Sequence, residues 1–127
     1  METIGGVRPV KLREVVRIVE GTVLTRQTDL DLEIIYGGAM DLMSDALAYM
    51  PPGSMLLTGL KNLQTIRTAE MADVTAITFV RGKVPESEAI LLAEELGIPL
   101  IKTNFGMFES CGRLYQSGLP PVPLARR

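Results

Sequence analysis

The sequence has no histidine and no tryptophan, a single cysteine, and aromatic residues at only 5% of its 127 positions. Each shortage closes a route to function. Without histidine the chain lacks the commonest general base near neutral pH and the commonest metal ligand. The lone Cys111 rules out an internal disulfide and a thiolate metal cluster, and it fits a reducing cytoplasm. The net charge is −2, so there is no electrostatic case for nucleic acid or an anionic membrane. Residues 1–9 hold no apolar stretch of signal-peptide length, and no uninterrupted apolar run reaches a membrane span. A cytoplasmic protein is expected, with no cofactor and no metal.

What is present is apolar. Hydrophobic residues make up 46% of the chain and the mean hydropathy is +0.23. A chain of this length suits one domain with one real core, and surplus apolar surface has self-association as an outlet. The pattern turns on residues 34–45, Ile-Ile-Tyr-Gly-Gly-Ala-Met-Asp-Leu-Met-Ser-Asp. They read as a strand, a tight glycine turn at Gly37-Gly38, and the start of a helix.

The rest repeats that grammar. Residues 1–8 read as a loose lead-in. Pro9 suits a first helical turn, and Leu12, Val15, Val16 and Val19 recur at helical spacing up to Gly21. Thr22 to Thr25 reads as a strand, and Leu30, Leu32 and Ile34 alternate with acids toward another. A helix over Met40–Met50 would place Asp41, Ser44, Asp45 and Ala48 on one arc, with apolar residues on the rest. That arc is wider than one sheet face needs, and its methionines suit an adaptable interface. A homodimer through this helix is expected. Pro51-Pro52-Gly53 stops it. Strands follow near Met55–Thr58, Val74–Val80 and Ile98–Ile101, each nearly uncharged, as strands covered on both faces are. Helices follow over Asn62–Met71 (Leu63, Ile66 and Ala69 inward), from Pro85 to Gly97, and over Gly106–Ser117. The last should bury Met107, Phe108, Cys111, Leu114 and Tyr115. Alternating strands and helices with short links imply right-handed crossovers. The expected fold is a three-layer α/β/α sandwich on a mostly parallel sheet of about five strands, over residues 1–118. Residues 119–127, with Pro120, Pro121 and Pro123, read as an extended and poorly ordered tail.

Parallel sheets take ligands beyond the carboxyl ends of their strands. The residues there should be Gly37 and Gly38, Gly59 with Lys61 and Asn62, Arg81 with Gly82 and Lys83, and Thr103 with Asn104. Glycine amides, helix starts and three basic side chains permit a phosphate or carboxylate, although glycine at such a bend is also ordinary turn chemistry. The third glycine of a dinucleotide fingerprint is missing, and no phosphate-binding P-loop is present. Asp41 and Asp45 suit a solvated face better than a cation site. Cys111 suits a buried thiol better than a nucleophile, and Tyr36 and Tyr115 suit the core.

From Ile35 to Tyr115 the chain resembles a DRTGG domain. The resemblance rests on Gly37-Gly38-Ala39-Met40, Pro52-Gly53, Gly59, Arg81-Gly82-Lys83-Val84-Pro85, Gly97-Ile98-Pro99-Leu100, and Phe108-Glu109 to Arg113-Leu114. Leu60-Lys61 stand where the family has its Asp-Arg pair, and Val80-Arg81-Gly82 where it has Thr-Gly-Gly. Such domains occur in HPr kinase/phosphorylase, in long phosphotransacetylases and between CBS domains of some pyrophosphatases. The resemblance is greatest to small stand-alone members, some of which accompany iron-only hydrogenase genes. It implies a non-catalytic regulatory or dimerising role, with a nucleotide or other phosphorylated metabolite as candidate ligand. A small enzyme acting on a phosphorylated or acidic substrate is the alternative, with Arg81 and Lys83 as clamps and Asp41 or Asp45 as base. A structural subunit of a larger assembly is a third.

Overall fold

The central strands carry bulky apolar side chains at successive positions, so both of their faces need cover. In the computed structural model, which describes residues 9–123, they get it. Helix α1 (Leu12–Ile18) follows a short strand β1 (Val10–Lys11), and β2 (Thr22–Val23), β3 (Glu33–Ile34) and β4 (Tyr36–Ala39) come next. Then α2 (Met43–Tyr49), β5 (Ser54–Thr58), α3 (Leu63–Ala72), β6 (Ala76–Phe79), α4 (Ser87–Leu96), β7 (Leu100–Lys102) and α5 (Met107–Gln116) alternate.

The main sheet has the order β2-β7-β6-β5-β4. Strands β4 to β7 run parallel, with Leu56 opposite Gly38 and Ile77, and only β2 is antiparallel. Strand pleating sends alternate residues to opposite faces. Leu56, Ile77, Phe79 and Leu100 face a core closed by α2, α3 and α4. Met55, Leu57, Ala76 and Ile101 face a second core closed by α1 and α5. Phe79 is fully buried; a side chain of that size contributes ~1.5–3 kcal/mol by leaving water. The expected three-layer sandwich is the observed one.

The differences lie at the margins. Pro9 is not in a helical turn: it precedes β1, which pairs antiparallel with β3 as a separate two-stranded sheet. Helix α1 starts only at Leu12, where the Glu14 carboxylate accepts from the Lys11 amide at 3.2 Å. Helix α2 starts at Met43, so Asp41 lies in the connection before it and does not share a helix face with Asp45. On α3 the first residue points outward. Leu63 is exposed while Thr65, Ile66, Thr68, Ala69 and Ala72 are buried. Helix α5 also turns differently from the expected stripe: Ser110 and Leu114 are buried, whereas Phe108 is 93% and Tyr115 69% exposed. Arg113 bonds Glu109, reaches Glu20 and lies 4.1 Å from the Phe105 ring centre, which turns the arginine toward the tip of β7.

The proline-rich tail is also placed, as far as Pro123. Leu119 is buried. The Gly37 amide donates to the Pro120 carbonyl at 2.9 Å and the Val122 amide to the Gly37 carbonyl at 3.0 Å. Residues 120–122 thus line the outer edge of β4 as a parallel bridge. The expected lead-in, residues 1–8, and the last four residues lie outside the described part.

Candidate functional site at the strand tips

Because β4 to β7 are parallel, the segments leaving their carboxyl ends share one end of the sheet. Met40-Asp41 leaves β4, Gly59 to Asn62 leaves β5, Val80 to Lys83 leaves β6, and Thr103-Asn104 leaves β7. Two of these segments are bound to each other. The Arg81 amide donates to the Phe105 carbonyl and the Gly82 amide to the Thr103 carbonyl, both at 2.8 Å. Arg81 and Gly82 have φ of +58° and +68°. Two successive left-handed residues reverse the chain sharply; glycine takes this shape freely and arginine at a cost. The main-chain bonds to β7 hold it.

The turn aims the Arg81 guanidinium across the tip of β5. A Cβ placed on Gly59 would meet Arg81 Nη2 at 2.8 Å, so glycine leaves the room that the guanidinium fills. Beside it lies Asp41. One oxygen of that carboxylate, Oδ1, accepts from the Gly59 amide at 2.8 Å and from the Thr58 hydroxyl at 2.8 Å. The Gly59 amide is the main reason the Asp41 carboxyl titrates below its ordinary value of 3.8; the Thr58 hydroxyl adds to it, slight burial opposes it, and the nearby Arg81 charge lowers it further. Arg113 is matched by two glutamates. Arg81, among the described residues, forms no ion pair. Among the described residues the tips therefore offer a guanidinium without a bonded counter-charge, next to a carboxylate whose second oxygen makes no hydrogen bond.

The expected site residues divide into four groups. Gly59, Arg81, Gly82 and Asn104 meet at the tips; an added Cβ on Gly82 would lie 3.2 Å from Asn104 Oδ1. Lys61 is exposed and Lys83 half-buried in the same connections. Asn62 and Thr103 serve the fold. Asn62 Oδ1 caps α3 by accepting from the Thr65 amide at 3.1 Å, and the buried Thr103 hydroxyl donates to the Val19 carbonyl at 2.6 Å. Gly37 and Gly38 are corrected: they form no turn and lie inside β4. A Cβ at Gly38 would meet Met50 Sδ at 2.5 Å, and one at Gly37 would meet Leu119 Cδ2 at 2.9 Å. Their amides and carbonyls serve the sheet and the tail. Asp41 is the residue that the helical reading misplaced.

Three surface depressions lie away from the tips. The largest, about 490 Å³, runs between the 25–29 loop and the start of β7, near Glu94 and Gly97. Another of about 310 Å³ lies at the same end of the sheet, by Asp73 and Thr75. A third, about 180 Å³ and almost wholly apolar, sits between β4 and α5 and is lined by Leu57, Cys111 and Leu119 among others. Burial raises the Cys111 thiol above its ordinary value, the opposite of what a nucleophile needs. Among the described residues no group of three or more acids or cysteines stands together as a metal site, and no helix is long and apolar enough to cross a membrane.

Comparison with known proteins agrees with this architecture. The DRTGG domain model matches residues 14–117. No curated protein matches the chain. Among solved structures it is similar to the CBS and DRTGG domains of the regulatory region of Clostridium perfringens pyrophosphatase, crystallised with the activator diadenosine tetraphosphate. The TM-score is 0.68 at 16% identity, covering 87% of this chain and 47% of that one. At that identity the likeness speaks for the fold, and the chain spans less than half of its neighbour's length.

Proposed function

From the premise that the chain belongs to the DRTGG domain family, we propose that it is a regulatory module which binds a nucleotide or other phosphorylated metabolite and turns nothing over. The observation that carries this reading is the Arg81 guanidinium, which a main-chain turn places over Gly59 and to which, among the described residues, no acid is bonded. Planar guanidinium groups suit phosphate and carboxylate oxygens. Lys61, Lys83 and Asn104 stand in the adjoining connections and add charge and donors. The solved neighbour is a regulatory region bound to a nucleotide activator, which favours the same ligand class here. Turnover finds less support. Asp41, the acid at the tips, is held as a carboxylate by two donors, and the one hydroxyl bonded to it, that of Thr58, is fully buried.

Thermal denaturation with a panel of adenine nucleotides and phosphorylated metabolites tests the reading. A ligand at a hundredfold excess over its dissociation constant stabilises by ~2.7 kcal/mol, which is several degrees of melting temperature for a domain of this size. Arg81→Ala should abolish the shift. A panel that moves nothing refutes the reading.

A specific observation favours self-association as a second property. On and beside α2, Leu42 is 62% and Leu47 39% exposed, while Met43 turns partly into the core. We infer a homodimer that covers Leu42 and Leu47. Light scattering at micromolar concentration should report a dimer, and Leu47→Glu a monomer; a monomeric unmodified protein ends this inference.

A further inference from the structure

We propose that Asp41 is a built-in occupant of the anion seat at the strand tips, and that an oxyanion ligand enters by displacing it. The proposal rests on the strand-tip reading above and adds how that site is gated. A carboxylate oxygen is seated on a main-chain amide and a hydroxyl, at 2.8 Å each. These donors, beside a guanidinium, are what a phosphate or carboxylate oxygen of a ligand would use.

The seat is preformed. Thr58 is fully buried, and its hydroxyl oxygen accepts from the Leu60 amide at 3.1 Å. The carboxylate of Asp41 can only accept, so the hydroxyl proton points at it. Gly59 belongs to the same rigid strand end. Withdrawing the carboxylate would leave both donors in place, aimed at the vacated position.

The occupant, by contrast, is loosely attached. Asp41 is exposed and lies in the connection between β4 and α2. Both of its bonds fall on one oxygen, and Arg81 acts on its charge without forming an ion pair. Rotation of one exposed side chain would clear the seat without disturbing either core, and Arg81, not ion-paired to that carboxylate, would stay beside the vacated position. Until then the carboxylate repels anions and fills their position. The ligand class is a small oxyanion or the terminal phosphate of a larger molecule.

Titration with inorganic phosphate, and separately with ATP, tests this by calorimetry and by the amide resonance of Gly59. Asp41→Ala should bind phosphate at least about tenfold more tightly than the unmodified protein, with the Gly59 amide shifting on binding. Asp41→Asn should gain less, because its amide oxygen still fits the seat but carries no charge. Asp41→Ala combined with Arg81→Ala should lose the gain. Tighter binding of ATP but not of phosphate by Asp41→Ala would assign the seat to a nucleotide's phosphate, and gating would still hold. If the unmodified protein binds either anion through Arg81 and neither Asp41 variant gains, displacement is wrong while the strand-tip reading stands. If no variant binds phosphate or ATP, both fall. Should Asp41→Ala fail to fold, Asp41→Asn decides, and an absent gain overturns the proposal.

Discussion

Gly37-Gly38 and the Gly59/Gly82 region look alike in the sequence, yet they do opposite work. At Gly37 and Gly38 the missing Cβ makes room for apolar bodies, namely Leu119 and Met50. At Gly59 and Gly82 it makes room for a guanidinium and a side-chain amide. The first region is a seam in the core, and the second is an open polar surface. The difference comes from where the strand ends. Strand β4 runs on to Ala39, so its glycines sit under cover, while β5 and β6 stop at their glycine-bearing turns. A glycine marks close approach; only the neighbour that approaches says whether the purpose is packing or binding.

Substitutions can sharpen or break this contrast. The largest effect is expected at Leu119, the buried anchor of the seam. Leu119→Ala should cost ~2–5 kcal/mol in urea unfolding; a loss within error would mean the tail is not part of the fold. Next come the glycines. Gly38→Ala puts a methyl against the buried Met50 sulfur and should cost ~1–3 kcal/mol by overpacking. Gly59→Ala meets only the end of a flexible arginine, so its stability should change by less than ~0.5 kcal/mol while the ligand-induced melting shift falls. Equal costs at the two positions would erase the distinction. The smallest effect concerns charge at the tips. The Asp41 carboxyl titrates lower in the folded chain than when unfolded. Its contribution is therefore complete above the unfolded value of ~3.9 and is lost as pH falls through the folded value. The stability gap between the unmodified protein and Asp41→Asn should narrow below about pH 4, and modestly, because the group is exposed. A gap that holds steady from neutral pH to pH 3 would remove the charge of Asp41 from the seat.

The layered fold was legible because its signals are local and redundant. The uncharged, β-branched and apolar runs at Met55–Leu57 and Ala76–Phe79, short and bounded by turn signals, read as interior strands, and Asn62 and Gly97 mark helix boundaries by capping chemistry. The site was half legible. Arg81 and Gly82 follow from the rule about parallel strand ends. Asp41 did not, because helical periodicity extended backward from Met43 absorbs it and no local signal places Leu42 outside the helix. The rotation of α5 was hidden for another reason. Phe108 and Tyr115 favour the interior by composition, but Arg113 reaches Glu20, remote in the chain, and the Phe105 ring just ahead of the helix, contacts that no helical wheel contains. The seam at Gly37 depends on residues more than eighty positions away and was invisible for the same reason.

One property of that seam reaches beyond this molecule. Since Pro120 and Val122 direct their carbonyl and amide inward to Gly37, alternation turns the backbone of Pro121 toward solvent. A proline has no amide proton there to offer an arriving strand. The border on which another chain would otherwise add itself is thus chemically blunt at that position, a device that discourages edge-to-edge pairing on the β4 side of the sheet.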